Sequence, residues 1–97
     1  MTAMVGQTRM GDLLAMLAKE LAERFGPGAP VGDRARLTGD AHAMVSAASM
    51  IGFVDLAATC RTFETACRAG DDVTALLSTL RAQAAATIDE IAVLRAA

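Results

Sequence analysis

The chain has 97 residues, of which 54% are hydrophobic, 21% are charged and only 3% are aromatic, so we expect one small domain with little room for a deep, enclosed active site. Its nine basic and eleven acidic residues give a net charge of −2, and Trp and Tyr are both absent. Because nucleic-acid binding relies on basic patches and stacking aromatic side chains, this composition disfavours it.

The N-terminal residues 1–9 have no basic start, and Gly6, Gln7 and Thr8 interrupt their apolar letters. They do not resemble a signal peptide, so we expect a cytoplasmic protein. The longest stretch without a formal charge is Ala41 to Val54. It is shorter than the roughly 20 apolar residues that a membrane-spanning helix needs, so we expect no membrane span.

Glycine and proline divide the chain into helical segments. The stretch from Phe25 to Gly32 contains two prolines and three glycines, which predicts a break after a first helix. Gly52 predicts a tight bend, and Gly70, followed by Asp71 and Asp72, predicts the end of one helix and the start of the next. The predicted helices are about Met10 to Arg24, Asp33 to Ile51, Val54 to Arg68 and Asp72 to Arg95, with residues 1–8 either extending the first helix or forming a flexible extension.

Each predicted helix has apolar residues at helical spacing along one face, and the links between the later helices are short. One such face per helix predicts a single shared core, and short links favour antiparallel neighbours, so we expect an all-α, up-down-up-down four-helix bundle that spans residues 1–97 as one domain. The predicted core faces are Met10, Leu14, Leu17 and Leu21; Leu37, Ala41, Met44, Ala48 and Ile51; Leu56, Cys60, Phe63 and Cys67; and Val73, Leu77, Leu80, Ala84, Ile88, Ile91 and Leu94.

The two cysteines, Cys60 and Cys67, lie two helical turns apart on a predicted core face. Their Cα atoms are then about 10 Å apart along the helix axis, whereas a disulfide tolerates about 7 Å. We therefore expect two buried free thiols and neither a disulfide nor a zinc site.

The chain has one histidine, His42. On the second helix it lies about 130° from the centre of the apolar face, so it points away from the core. The residues that share its side are small: Thr38, Gly39, Ser46 and Ser49, with Val45 at the border of the core. Single surface histidines are common and often have no role, but an accessible and largely neutral imidazole also has one ring nitrogen free to act as a nucleophile.

The segment around His42 resembles the histidine-containing phosphotransfer (HPt) domain of bacterial phosphorelays. That family has a His-x-x-Lys-Gly sequence, small residues after it and a glycine ten positions past the histidine. It then has a Leu, a Leu-Glu-like pair and a Gly-Asp near the start of the last helix. The matching positions here are His42 to Ala48, Gly52, Leu56, Cys60, Phe63-Glu64, Arg68 and Gly70-Asp71.

This resemblance implies a four-helix phosphoryl carrier that is not itself an enzyme. His42 is expected to accept a phosphoryl group from the aspartyl phosphate of a receiver domain and to pass it to another. The partners implied are response-regulator receiver domains, a hybrid histidine kinase, or both. The family needs no cofactor of its own, because the partner receiver supplies Mg²⁺, and we expect a monomer.

One position departs from the family pattern. Val45 stands where the family has lysine, and Ser46 occupies the place of the glycine. A cation normally lies near the phosphoryl group and offsets its charge. Either Ser46, Ser49 or an arginine of the third helix, with Arg61 best placed by helical phase, partly replaces the lysine, or the domain carries phosphate poorly.

Other residues near His42 are candidates for contact with a partner. Thr38, Gly39, Val45 and Met50 are expected to form the docking surface beside the histidine, since methionine adapts well to partner surfaces. Met44 and Ile51 are expected to be core residues. Arg61, Glu64 and Arg68 form a polar strip on the third helix, which an ordinary solvated face explains better than a dedicated binding site.

Three other functions are compatible with this sequence. The first is a degenerate HPt-like module that binds a receiver or a histidine kinase without carrying phosphate, and the missing lysine favours that interpretation. The second is an Ala-rich structural bundle that oligomerises. An independent enzyme is the least favoured class, because no second acid, base or oxyanion group is visibly placed beside His42.

Overall fold

A computed structural model describes the backbone of residues 2–29 and 32–96, with side chains described from Arg9 onward in those ranges. These residues form four α-helices: α1 (Thr2–Phe25), α2 (Arg34–Ile51), α3 (Val54–Ala69) and α4 (Thr74–Ala96). Each helix packs against the next, and α1 also packs against α4. The bundle is therefore closed, and the predicted all-α fold is confirmed.

Helices α2 and α3 form the hairpin that carries His42. Arg34, at the start of α2, donates a hydrogen bond to the carbonyl oxygen of Cys67, near the end of α3. Two turns further along α2, His42 contacts Glu64, which lies earlier in α3. Residue numbers therefore rise along one helix as they fall along the other, as expected of antiparallel neighbours in an up-down-up-down bundle.

The ends of α2 and α3 match the signals in the sequence. The Asp33 carboxylate accepts a hydrogen bond from the backbone N–H of Arg36 at 2.9 Å and caps the start of α2,. Gly52 has a φ of 96° and Gly70 a φ of 80°, both in the left-handed region. Their N–H groups bond to the last carbonyl oxygens of α2 and α3, so each glycine ends its helix and reverses the chain,.

The core is made of the predicted apolar faces, with two exceptions. Met10 is 46% exposed and Leu94 is 50% exposed. The α2–α3 turn packs beside residues 83–90 of α4, and both exposed residues lie past this turn, where α2 and α3 no longer cover them. The partly buried residues Ile51, Val73, Leu77 and Ile88 pack against this core. The buried residues are Leu14, Leu17, Leu21, Phe25, Leu37, Ala41, Met44, Ala48, Leu56, Ala57, Cys60, Phe63, Cys67, Leu80, Ala84, Thr87 and Ile91.

Helix α1 differs from its prediction at both ends. Its backbone is helical from Thr2 rather than from about Met10, so of the two alternatives for residues 1–8, extension of the first helix applies to residues 2–8. At the other end, Phe25 was expected in the loop but is the last residue of α1 and is only 1% exposed. Its ring lies edge-on to that of Phe63, with centroids 6.2 Å apart. Burial of this aromatic pair stabilises the last turn of α1 despite the glycine that follows.

The cysteines are as predicted. Cys60 and Cys67 are both free and buried, and burial raises the pKa of the Cys60 thiol to about 11. A thiol in this environment stays protonated at neutral pH and is a packing residue rather than a nucleophile.

Two glycines of the α2 region allow a matched test of the turn. Gly52→Ala is expected to destabilise the protein by about 1–2 kcal/mol, because an L-residue is strained at positive φ. Gly39→Ala, within α2, is expected to stabilise it by about 0.5–1 kcal/mol, since a methyl group there meets no atom within 4 Å. Urea unfolding followed by circular dichroism measures both changes, and a loss of similar size at both positions would contradict this account of the turn.

Candidate functional site

Helix α2 places His42 on the outside of the bundle. Ala41 and Met44, close to it in sequence but on the core-facing side of the helix, are fully buried, and they fix the orientation of the helix against the core. The His42 side chain is 67% exposed. The imidazole is therefore held on a rigid element and remains accessible to a large partner.

The residues of α2 that share the face of His42 are small or uncharged. Gly39, Ser46 and Ser49 are exposed, while Thr38 is half-buried and donates its hydroxyl to the Arg34 carbonyl oxygen at 2.7 Å. These side chains leave space in front of the ring. Val45 is half-buried against the core, so the place where the family has lysine holds an aliphatic side chain.

Glu64 of α3 is the direct partner of His42. Its Oε2 lies 3.0 Å from His42 Nδ1. The same oxygen accepts hydrogen bonds from Arg68 Nε at 3.1 Å and Arg68 Nη2 at 2.7 Å. The Glu64 side chain is 13% exposed, compared with 67% for His42 and 63% for Arg68. The carboxylate is thus a largely enclosed bridge between two exposed side chains.

The charge of Glu64 determines the proton arrangement of the imidazole. The hydrogen bond from Arg68 is the largest influence that lowers the pKa of the Glu64 carboxyl, and the hydrogen bond from His42 lowers it further, against the opposing effect of burial. Glu64 is therefore ionised at neutral pH and can only accept hydrogen bonds. Nδ1 of His42 must then carry the proton, which leaves the lone pair of a neutral ring on Nε2.

The hairpin explains why Glu64 meets His42. Phe53 lies in the turn, and His42 and Glu64 are each eleven residues from it in sequence. Residues equally distant from a tight turn lie at the same level of an antiparallel helix pair. By the same symmetry, Arg61 is level with Val45. Helical phase alone favoured Arg61 as the arginine of α3 best placed to replace the missing lysine. Equal distance from the turn is the signal in the sequence that identifies Glu64 as the direct neighbour of His42.

A shallow apolar groove lies between α1 and α2, on the other side of α2 from Glu64. It has a volume of about 180 Å³. Met50 at its edge is 81% exposed and Met16 is 62% exposed, so the expectation that Met50 is a surface residue is confirmed. Met44 is buried and Ile51 is partly buried, as expected of core residues. The groove is lined by Leu13, Met16, Leu17, Glu20, Ala47, Met50 and Ile51.

A larger groove, of about 340 Å³, lies between the α2–α3 turn and α4. Its lining includes Asp55, Gln83 and Glu90 but not His42. In the described ranges, no three His, Cys, Asp or Glu side chains are grouped so that they could hold a metal ion. None of the described helices has the length and apolar character required to cross a bilayer.

Comparison with known proteins identifies the family. The model of the Hpt domain matches residues 7–97, which include most of α1 and all of α2, α3 and α4. No curated protein and no solved structure matches the chain significantly. Hpt domains are phosphotransfer carriers that interact with receiver domains and kinases in phosphorelays, and they are not generally classed as enzymes. Since the match covers nearly the whole chain, this protein belongs to the Hpt domain family.

Proposed function

We propose that His42 is the phosphoryl carrier of this domain, taking a phosphoryl group from the aspartyl phosphate of one receiver domain and giving it to another. The observation that carries the proposal is the pairing of His42 Nδ1 with an ionised carboxylate, Glu64, on an otherwise exposed imidazole. Membership of a phosphotransfer family supplies the chemical context. His42 is also the one histidine of the chain.

The transfer needs one nucleophile and no proton removal. The lone pair on His42 Nε2 attacks phosphorus as the bond between phosphorus and the aspartyl oxygen breaks, and the aspartate leaves as a carboxylate. The new N–P bond leaves a proton on Nδ1 and a positive charge on the ring. The reverse attack by a second aspartate releases neutral histidine with its Nδ1 proton still in place.

Glu64 assists this exchange in two ways. It accepts the Nδ1 proton in a hydrogen bond, which fixes the tautomer with a free Nε2. It also places a negative charge beside a ring that becomes positive during transfer, and charge-assisted hydrogen bonds of this kind are stronger than neutral ones. Glu64 thereby acts as a positioning residue, while His42 makes and breaks the covalent bond.

The receiver docks on the outer face of α2. Thr38 and Gly39 lie one turn before His42, and Val45 lies one turn after it, so a partner that reaches Nε2 covers all three. Met50, two turns after His42, extends this surface to the apolar groove between α1 and α2. Exposed apolar patches of this type favour protein contacts. Ser46 and Ser49 supply neutral hydrogen-bond donors on the same face, and Arg61 lies level with Val45 on α3.

The domain needs no cofactor of its own in this proposal. The receiver holds Mg²⁺ and most of the groups that act on phosphorus, whereas this chain supplies the nucleophile. A hybrid histidine kinase that carries a receiver domain is one suitable donor, and a separate response regulator is a suitable acceptor.

Val45 supports a second candidate function. An uncharged side chain at the lysine position is also expected of a module that binds a receiver or kinase and carries no phosphate. The two functions differ in their dependence on His42. A binding module keeps its affinity for an unphosphorylated receiver in the His42→Ala variant and accepts no phosphoryl group even as the parent protein.

His42→Gln is expected to abolish phosphorylation by a phosphorylated cognate receiver, because glutamine has no nucleophilic nitrogen. Radiolabelled phosphate transferred to the parent protein is expected to be labile to acid and stable to alkali. Since His42 is exposed, helicity measured by circular dichroism is expected to remain unchanged. Label that persists in the variant would exclude His42 as the carrier.

Glu64→Gln is expected to slow transfer from the receiver by roughly 10- to 100-fold, as loss of a partner that orients a functional histidine commonly does. Glutamine retains an acceptor for Nδ1–H but no charge. Rapid-quench measurement of the single-turnover rate tests this, with Glu23→Gln on the exposed face of α1 as the matched control. Equal rates in Glu64→Gln and the parent would show that the carboxylate has no part in transfer.

Val45→Lys is expected to change the lifetime of the phosphorylated protein or its rate of transfer, because it restores a cation near the phosphoryl group. Val93→Lys adds the same charge at an exposed position of α4, outside the proposed docking surface, and is the control for a general effect of added charge. The decay of radiolabel after removal of the donor measures the lifetime, and the transfer rate to a receiver is measured in parallel. Identical kinetics in all three proteins would show that the missing lysine is irrelevant here.

A further inference from the structure

A phosphoryl group on His42 creates an electrostatic problem at this site. It carries a charge of about −1.5 to −2, and the ionised Glu64 carboxylate already lies 3.0 Å from the same ring. The surrounding face of α2 consists of small and uncharged side chains, and Val45 replaces the expected lysine. A cation from another part of the bundle would therefore stabilise the phosphorylated form.

Three arginines are near enough to be considered. Arg34 lies two turns before His42 on α2, where its guanidinium donates to the Cys67 carbonyl oxygen. Arg61 is exposed and level with Val45, one turn from His42. Arg68 binds Glu64 Oε2, the same atom that His42 Nδ1 contacts. Its guanidinium is thus the cation most directly connected to the imidazole.

The exposure of these groups indicates which of them can move. Arg68 is 63% exposed, whereas Glu64 is 13% exposed. Both of the Arg68 hydrogen bonds go to one carboxylate oxygen, so only the end of a long and flexible side chain has to be redirected. Glu64 keeps its bond to the Nδ1 proton of His42 when the arginine departs, and its charge is then balanced by the positive ring.

We propose that Arg68 is the phosphate-binding cation of this domain, and that its guanidinium moves from Glu64 to the phosphoryl group when His42 is phosphorylated. This inference rests on the proposed function of His42. Arg68 acts from α3 and so replaces the lysine that the family has on α2. Guanidinium groups bind phosphoryl oxygens through two parallel hydrogen bonds.

Phosphoramidate, a small phosphodonor, allows a test that needs no cognate partner. It would be used to phosphorylate the parent protein and the variants Arg68→Gln, Arg68→Lys and Arg61→Gln, with ³¹P NMR following the phosphoryl resonance as pH is changed. Loss of a nearby cation raises the pKa of a phosphoryl group. Arg68→Gln is expected to raise it by about 0.2 to 0.7, as for a partly exposed charge pair.

The other variants separate direct contact from a structural role. Arg68→Lys is expected to retain most of the lowered pKa because lysine keeps the charge, and Arg61→Gln is expected to match the parent. A phosphoryl pKa in Arg68→Gln equal to that of the parent would overturn the proposal, as would a rise in Arg61→Gln alone. If the parent accepts phosphate neither from phosphoramidate nor from any receiver, the proposed function itself fails. If the parent and Arg68→Gln are both phosphorylated and their phosphoryl groups have the same pKa, only the proposal for Arg68 fails.

Discussion

The hydrogen bond between His42 Nδ1 and the Glu64 carboxylate is the interaction on which the proposed chemistry of this domain depends. It joins the two helices of the α2–α3 hairpin across 3.0 Å, and Arg68 holds the same carboxylate oxygen from one turn further along α3. An ionised carboxylate can only accept, so the imidazole proton lies on Nδ1 and the lone pair lies on Nε2. In the proposed function, this arrangement makes a common surface residue a nucleophile of defined orientation.

The fold makes this contact precise without enclosing the site. A tight turn at Gly52, with φ at 96°, sets the level at which α2 and α3 meet, and the buried residues Met44 and Phe63 fix the rotation of each helix. The outward side of the imidazole stays open because Gly39 and Ser46 are small. Rigid support from one side and access from the other are what a carrier between two larger proteins requires.

Sequence patterns predicted the helices better than the contacts between them. Gly52 and Gly70 mark helix ends because their positive φ angles favour glycine, and the exposure of His42 follows from its helical phase. The sequence left the start of α1 open because residues 2–8 carry no clear boundary signal. The contact between Glu64 and His42 was missed because helical phase gives only the direction in which a side chain points. The position of the turn is also needed, since it sets which residues of α2 and α3 lie at the same level. Met10 and Leu94 fit the apolar pattern but lie beyond the end of the hairpin.

The tautomer of His42 is the most direct test of this account, because everything proposed for Nε2 follows from the proton on Nδ1. Long-range ¹H–¹⁵N correlation spectra of the ¹⁵N-labelled protein, recorded at alkaline pH, distinguish the two ring nitrogens. The account predicts a protonated Nδ1 and an unprotonated Nε2. A ring protonated mainly on Nε2 would contradict it, because the nitrogen that faces the partner would then have no lone pair to give.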